Sequence, residues 1–121
     1  MRVKKVKIGI RTTKEFLAEA KDVMEKVIKG KKVKKTTGIY FENLSDMRRV
    51  LTEKRLEVLK TIKDKHPDSI YRLAKMLDRD LKNVIQDVEY LHNIGLVELE
   101  ETEEKKIPKV KYEKILLEIA V

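Results

Sequence analysis

Between Thr52 and Gly95 the chain carries three short apolar stripes in succession, each at helical spacing and each closed by its own stop. Leu56, Leu59 and Ile62 form the first, after Thr52 as a cap and before His66-Pro67. Ile70, Leu73, Ala74 and Leu77 form the second, opened by Asp68-Ser69. Leu81, Val84, Val88 and Leu91 form the third, and Gly95 ends it. Only Asp78-Arg79-Asp80 separates the second stripe from the third, with Asp80 as its cap. Helices this short depend on burying their stripes against one another. After Gly95 the pattern changes period. Leu96, Val97 and Leu99 begin a strand, Glu100 to Lys106 make a hairpin tip, and a second strand starts near Ile107. The run from Ile115 to Val121 reads as a further strand.

The N-terminal half follows a different order. Val3 to Ile10 reads as a strand with Val6, Ile8 and Ile10 on one face. Thr12 and Glu15 have the spacing of a capping box, in which the hydroxyl serves a free N–H and the carboxylate reaches back. Phe16, Ala20, Val23 and Val27 then repeat at helical spacing, backed by Leu17, Met24 and Ile28, up to Lys29-Gly30. Lys31 to Gly38 is a basic connector, Ile39-Tyr40-Phe41 a short strand, and Ser45 the expected cap of a brief helix with Met47, Val50 and Leu51 inward. The expectation is an α+β chain: a strand-helix-strand extension over 1–50 and a second unit over 51–121.

Composition narrows the chemistry. The 121 residues include no cysteine, which excludes disulfides, thiolate metal sites and cysteine nucleophiles. No apolar run exceeds three residues, and the basic start never reaches a signal-peptide core, so a cytoplasmic protein is expected. Charged residues make up 41% of the chain, with abundant Lys and Glu and few amides, a pattern expected of a thermophile. The net charge of +8 points to a polyanionic partner, but it is concentrated in residues 1–38, while residues 39–98 balance to zero. His66 and His92 lack neighbours that would make a metal site, and the glutamates at 100–104 lack the alternation of a calcium loop. No phosphate loop, His-Glu-x-x-His motif or nucleophile elbow is present, so neither an enzyme nor a cofactor is expected.

Helix, helix, tight turn, helix, glycine and hairpin follow the order of a winged helix-turn-helix. The segment SIYRLAKMLDRDLKNVIQDVEYLHNIGLVELE, residues 69–100, resembles the reading unit of MarR-like and ArsR-like prokaryotic regulators. With its VKIGI start and IYFENLSDMRRVL junction, the whole chain is similar to a family of small DNA-binding proteins of archaea and bacteria, some of them antitoxins encoded beside toxins. The resemblance implies double-stranded DNA as partner and the third helix as the element in the major groove.

The residues support that independently. Opposite the apolar stripe of the third helix lie Arg79, Lys82, Asn83, Gln86, Tyr90 and Asn93. Arg and Lys pair with guanine, and Asn and Gln with adenine, at major-groove edges. Arg79, Lys82, Asn83 and Gln86 are therefore the expected base readers. Tyr71, Arg72 and Lys75 on the preceding helix, Tyr90, and Lys105 and Lys106 at the hairpin are the expected backbone contacts. Acidic residues depart from the pattern: Asp87 would repel phosphate beside the groove, and the hairpin carries Glu100, Glu101, Glu103 and Glu104. Salt-dependent affinity would then draw on Lys4, Lys5, Lys7, Lys31, Lys32, Lys34 and Lys35. The functional expectation is a sequence-specific transcriptional regulator acting as a homodimer, with the N-terminal strand, the first helix and the last strand as candidates either for dimer contacts or for closing the chain's own core. The alternatives are an antitoxin that also binds a toxin protein, and a non-specific nucleic-acid-binding protein.

Overall fold

In the computed structural model, which describes residues 4–31 and 38–119, both sets of elements meet in one α+β fold. β1 (Lys5–Ile10), α1 (Thr13–Ile28), β2 (Gly38–Phe41) and α2 (Leu44–Val50) come first. They are followed by α3 (Glu53–Lys65), α4 (Ile70–Leu77), α5 (Leu81–Asn93), β3 (Glu98–Glu101), β4 (Lys106–Lys109) and β5 (Lys114–Glu118). None of the described helices is long and apolar enough to cross a membrane.

The caps explain where most helices begin. Thr12 accepts the Glu15 N–H while the Glu15 carboxylate accepts the Thr12 N–H, closing the expected capping box. Thr52 and Ser69 accept the N–H groups of Arg55 and Arg72 and so open α3 and α4. The cap of α2 is Asn43, not Ser45: its side chain accepts the Asp46 N–H at 2.8 Å, and the helix starts earlier than expected, at Leu44. His66 ends α3 and Asp78 ends α4, both in the left-handed region.

Val58, Leu59 and Ile62 of α3, Leu73 and Ala74 of α4, and Val84, Val88 and Leu91 of α5 form the centre of the core, closed by Leu96 and Val97. α3 is rotated relative to expectation. Leu56 is exposed, and Val58 is fully buried in the core. The hairpin is also longer than expected: β3 and β4 pair antiparallel from Glu98–Lys109 to Glu101–Lys106, so the tip is only residues 102–105.

β2, β1 and β5 form a second, wholly parallel sheet with β1 in the middle. Val6, Ile8, Ile10, Ile39, Phe41 and Ile115 line one face of it and join the helical core, where Ile8 is completely buried. On the opposite face Gly9 lacks the Cβ that would press on the Tyr40 ring at 3.0 Å, and the Arg11 guanidinium stacks on that ring at 4.0 Å. The strand expected over 115–121 is β5, which starts at Lys114 and pairs with β1; residues 120 and 121, like Val3 and Lys32, Lys34 and Lys35 of the connector, lie outside the described residues. One core therefore spans residue 50, and β5 returns to the strand that precedes α1.

α1 stands apart from the core. The sequence leaves its apolar stripe open to a dimer contact or to closing the chain's own core, and no residue of the helix is buried; Phe16, Leu17, Met24, Val27 and Ile28 are all exposed. Side-chain contacts tie its start to the sheet: Arg11 pairs with Glu19, and the Thr13 hydroxyl donates to Glu42 at 3.4 Å.

Tyr112 links the β4–β5 connection to the helical core by donating to the Leu96 carbonyl at 2.9 Å. Burial pushes its phenol pKa upward. A raised pKa means the fold keeps the proton that the unfolded chain releases, so this contribution is intact below pH ~10 and is lost as pH rises above it. Tyr112→Phe should cost about 1 kcal/mol at neutral pH, and the gap from the parent chain should close in alkaline urea titrations. A gap that stays constant with pH would contradict this.

Candidate nucleic-acid interface

α4 and α5 are set against each other by a turn with little freedom. Asp78 adopts the left-handed conformation (φ 51°) that Asp tolerates, while its N–H bonds back to Lys75 and the Arg79 N–H to Ala74. The Asp80 carboxylate then accepts the Lys82 N–H at 2.8 Å and caps the start of α5. At the other end the His92 ring bonds through Nδ1 to the Val97 carbonyl at 2.9 Å, joining α5 to the approach to β3.

Val84, Val88 and Leu91 have no exposure, and this fixes the rotation of α5. Lys82, Asn83 and Gln86 consequently lie together on its exposed side, with Tyr90 and Asn93 one and two turns further along. Among the described residues, the ion pairs and side-chain hydrogen bonds around α5 engage the side chains of Arg79, Asp80, Asp87 and His92, and leave the three polar tips open to solvent.

Arg79 stands apart from this group. Its guanidinium donates to Asp87 at 2.8 Å and is only 19% exposed, so it braces α5 from beneath instead of standing on the outer face. The other Asp87 oxygen accepts from Arg55 Nε at 3.2 Å. Arg55 also donates to the carbonyls of Arg49 and Val50, both at 2.9 Å, and lies over the Tyr90 ring at 4.3 Å. Asp87 is expected from the sequence to repel phosphate at the groove. It is instead held between two guanidinium groups, which cancel its charge where it stands. Arg79 and Asp87, eight positions apart, could be paired from the sequence; Arg55, 32 positions from Asp87, gives no local signal.

Tyr71, Arg72 and Lys75 are exposed on α4, and the Lys75 ammonium sits 4.8 Å from the Tyr71 ring centre. Lys105 and Lys106 are exposed at the hairpin but face carboxylates, Asp68 at 3.5 Å and Glu101 at 3.7 Å. Glu100 accepts from Lys109 at 2.7 Å, and that bond, with the lysine charge, holds its carboxyl below the usual range. The strands of the hairpin are thus neutralised by their own cross-strand pairs, while Glu103 and Glu104 stand exposed at the tip. A cleft of about 570 Å³ runs between the start of α4, the Leu81–Ile85–Glu89 side of α5 and the hairpin tip. Lys4 lies beside the end of α3 and the hairpin base, and Lys7 is paired with Glu118. No group of acidic and histidine side chains among the described residues could hold a metal ion.

Removing Asp87 would leave two cations facing each other in a mostly buried position. Asp87→Ala should lower unfolding stability by about 3 kcal/mol in urea titration; a loss under ~0.5 kcal/mol, ordinary for a surface change, would show that the clamp is not structural.

None of the curated proteins compared with the chain matches it. A family model described as HVO_A0114 matches residues 50–117, from the end of α2 through α3, α4, α5 and the hairpin into β5. That match covers more than half of the sequence and all the elements that carry the candidate surface, and on it the chain belongs to the HVO_A0114 family.

Proposed function

We propose that α3 to β4 form a winged helix-turn-helix and that the protein is a sequence-specific, DNA-binding transcriptional regulator acting as a homodimer. One observation carries this reading. On α5, whose opposite side is completely buried, a lysine, an asparagine and a glutamine stand exposed within the first two turns. These are the side chains that hydrogen-bond to guanine and adenine edges, and a helix of this diameter fits the major groove. Lys82, Asn83 and Gln86 read bases. Tyr71, Arg72 and Lys75 on α4, with Tyr90, Lys105 and Lys106, meet phosphates and set the register. Arg79 serves by fixing α5, and the Arg55–Asp87 pair removes the negative charge that would otherwise oppose DNA. Two copies on a two-fold axis would read half-sites about one helical turn apart or a multiple of it.

A second reading, an antitoxin that also holds a toxin, is favoured by the exposed apolar side of α1 and by the acidic hairpin tip, both of which suit a protein partner.

The test is selection of bound duplexes from a random library, followed by mobility shifts on the enriched sequence. Asn83→Ala should cost about 1–3 kcal/mol at one base position, whereas Lys75→Ala should weaken all sequences alike. With around six phosphates neutralised, the log–log salt slope should lie near −5. Failure of any sequence to enrich would overturn specific reading and favour non-specific binding. Equal losses for both variants on every sequence would overturn the division between base-reading and phosphate-binding side chains.

A further inference from the structure

α1 combines strong ends with an unsupported middle. The capping box at Thr12 and the left-handed Gly30 (φ 71°) define a 16-residue helix, yet nothing along it is buried. A helix of this length is marginal without tertiary packing. Phe16, Ala20, Val23 and Val27 follow a four-three-four spacing, the spacing of the seam between two paired helices. Leu17 and Met24 flank the seam on one side, and Glu19 and Lys26 on the other.

This pattern is self-complementary in one orientation. With two copies antiparallel about a two-fold axis midway between residues 21 and 22, Phe16 meets the partner's Val27 and Ala20 meets the partner's Val23. Leu17 then faces the partner's Met24, and Glu19 faces the partner's Lys26. Every contact occurs twice, as an isologous interface requires. A parallel pair fails on charge, since Glu19 would face the partner's Met24 and Lys26 would face the partner's Lys31. The pairs that now hold these charges, Glu19 with Arg11 and Lys26 with Asp22, are partly exposed and contribute little, so they do not prevent the exchange.

We propose that α1 pairs antiparallel with α1 of a second copy of this chain, through the Phe16–Ala20–Val23–Val27 seam and the Glu19–Lys26 charge pairs. This names the surface behind the homodimer reading and rests on that reading for its occupant. It also separates the two halves of the molecule by task, because α1 lies outside the segment that carries the DNA surface.

Sedimentation of the full chain across a concentration series provides the test. Glu19→Lys and Lys26→Glu should each raise the dimer dissociation constant about tenfold, since both symmetric pairs turn from attractive to repulsive. The double variant should restore it. Neither change touches a buried residue, and unchanged thermal melting of the monomer would verify this. The chain has no cysteine, so oxidation of an Ala20→Cys chain mixed with a Val23→Cys chain should give a cross-linked heterodimer in excess of either homodimer. A dimer indifferent to both charge changes, or homodimer cross-links in excess, would overturn the antiparallel α1 pair. A parent chain that stays monomeric throughout, or that associates only with a co-purified protein, would overturn the dimer itself. Duplex selection scored on the same samples reports DNA reading separately, so the two failures are distinguishable.

Discussion

The complete burial of Val84, Val88 and Leu91 decides what α5 can offer. Once those three side chains are packed against α3 and α4, the helix cannot rotate, and the polar residues on its other side are held outward. The Asp87 bridge to Arg55 and Arg79 reinforces this from the flank, tying α5 to α3 and to the turn that precedes it. Taken alone, such a bridge is weak evidence for stability, because desolvation offsets much of the attraction. Its geometric effect is larger: two arginines reach one carboxylate from different elements only when those elements are correctly placed. Tyr90, beneath the Arg55 guanidinium, extends the same arrangement to the outer face.

Much of this order is legible in the sequence because it is local. Thr12, Thr52, Ser69 and Asp80 each signal a helix start within three residues, and each is a cap. The stripe of α5 and the polar side opposite it follow from helical geometry alone. What escapes is what distant residues decide. Leu56 and Val58 are both apolar and two positions apart; packing into the shared core selects Val58. Asn43 and Ser45 are both good caps, and the choice depends on where β2 delivers the chain. Arg79 reads from the sequence as part of the outer polar side of α5, and only the structure shows it held at the flank by Asp87. The parallel pairing of β1 with β5 leaves no local signature at all.

The distribution of charge also changes meaning in three dimensions. Residues 39–98 balance to zero, which looks unpromising for a surface facing a polyanion. Some of the acidic residues in that span are engaged, though: Asp87 by two arginines, Asp80 by a backbone N–H, Asp68 by Lys105 and Glu98 by Lys111. The lysine, asparagine and glutamine of α5 carry no such engagements. Net charge over a segment is therefore a poor guide to the character of any one face.

The parallel sheet has a kinetic consequence. Residues 6 and 115 stand opposite each other in neighbouring strands, with the whole helical unit threaded between them. Closing so long a loop costs chain entropy that no nearby contact recovers, whereas α3, α4 and α5 assemble over short separations. Short separations therefore favour assembly of the three helices ahead of the docking of β5. During synthesis on the ribosome, β1 and its exposed apolar neighbours must wait for their final strand, an interval in which the hydrophobic side of α1 and the unpaired edge of β1 are open to whatever arrives first.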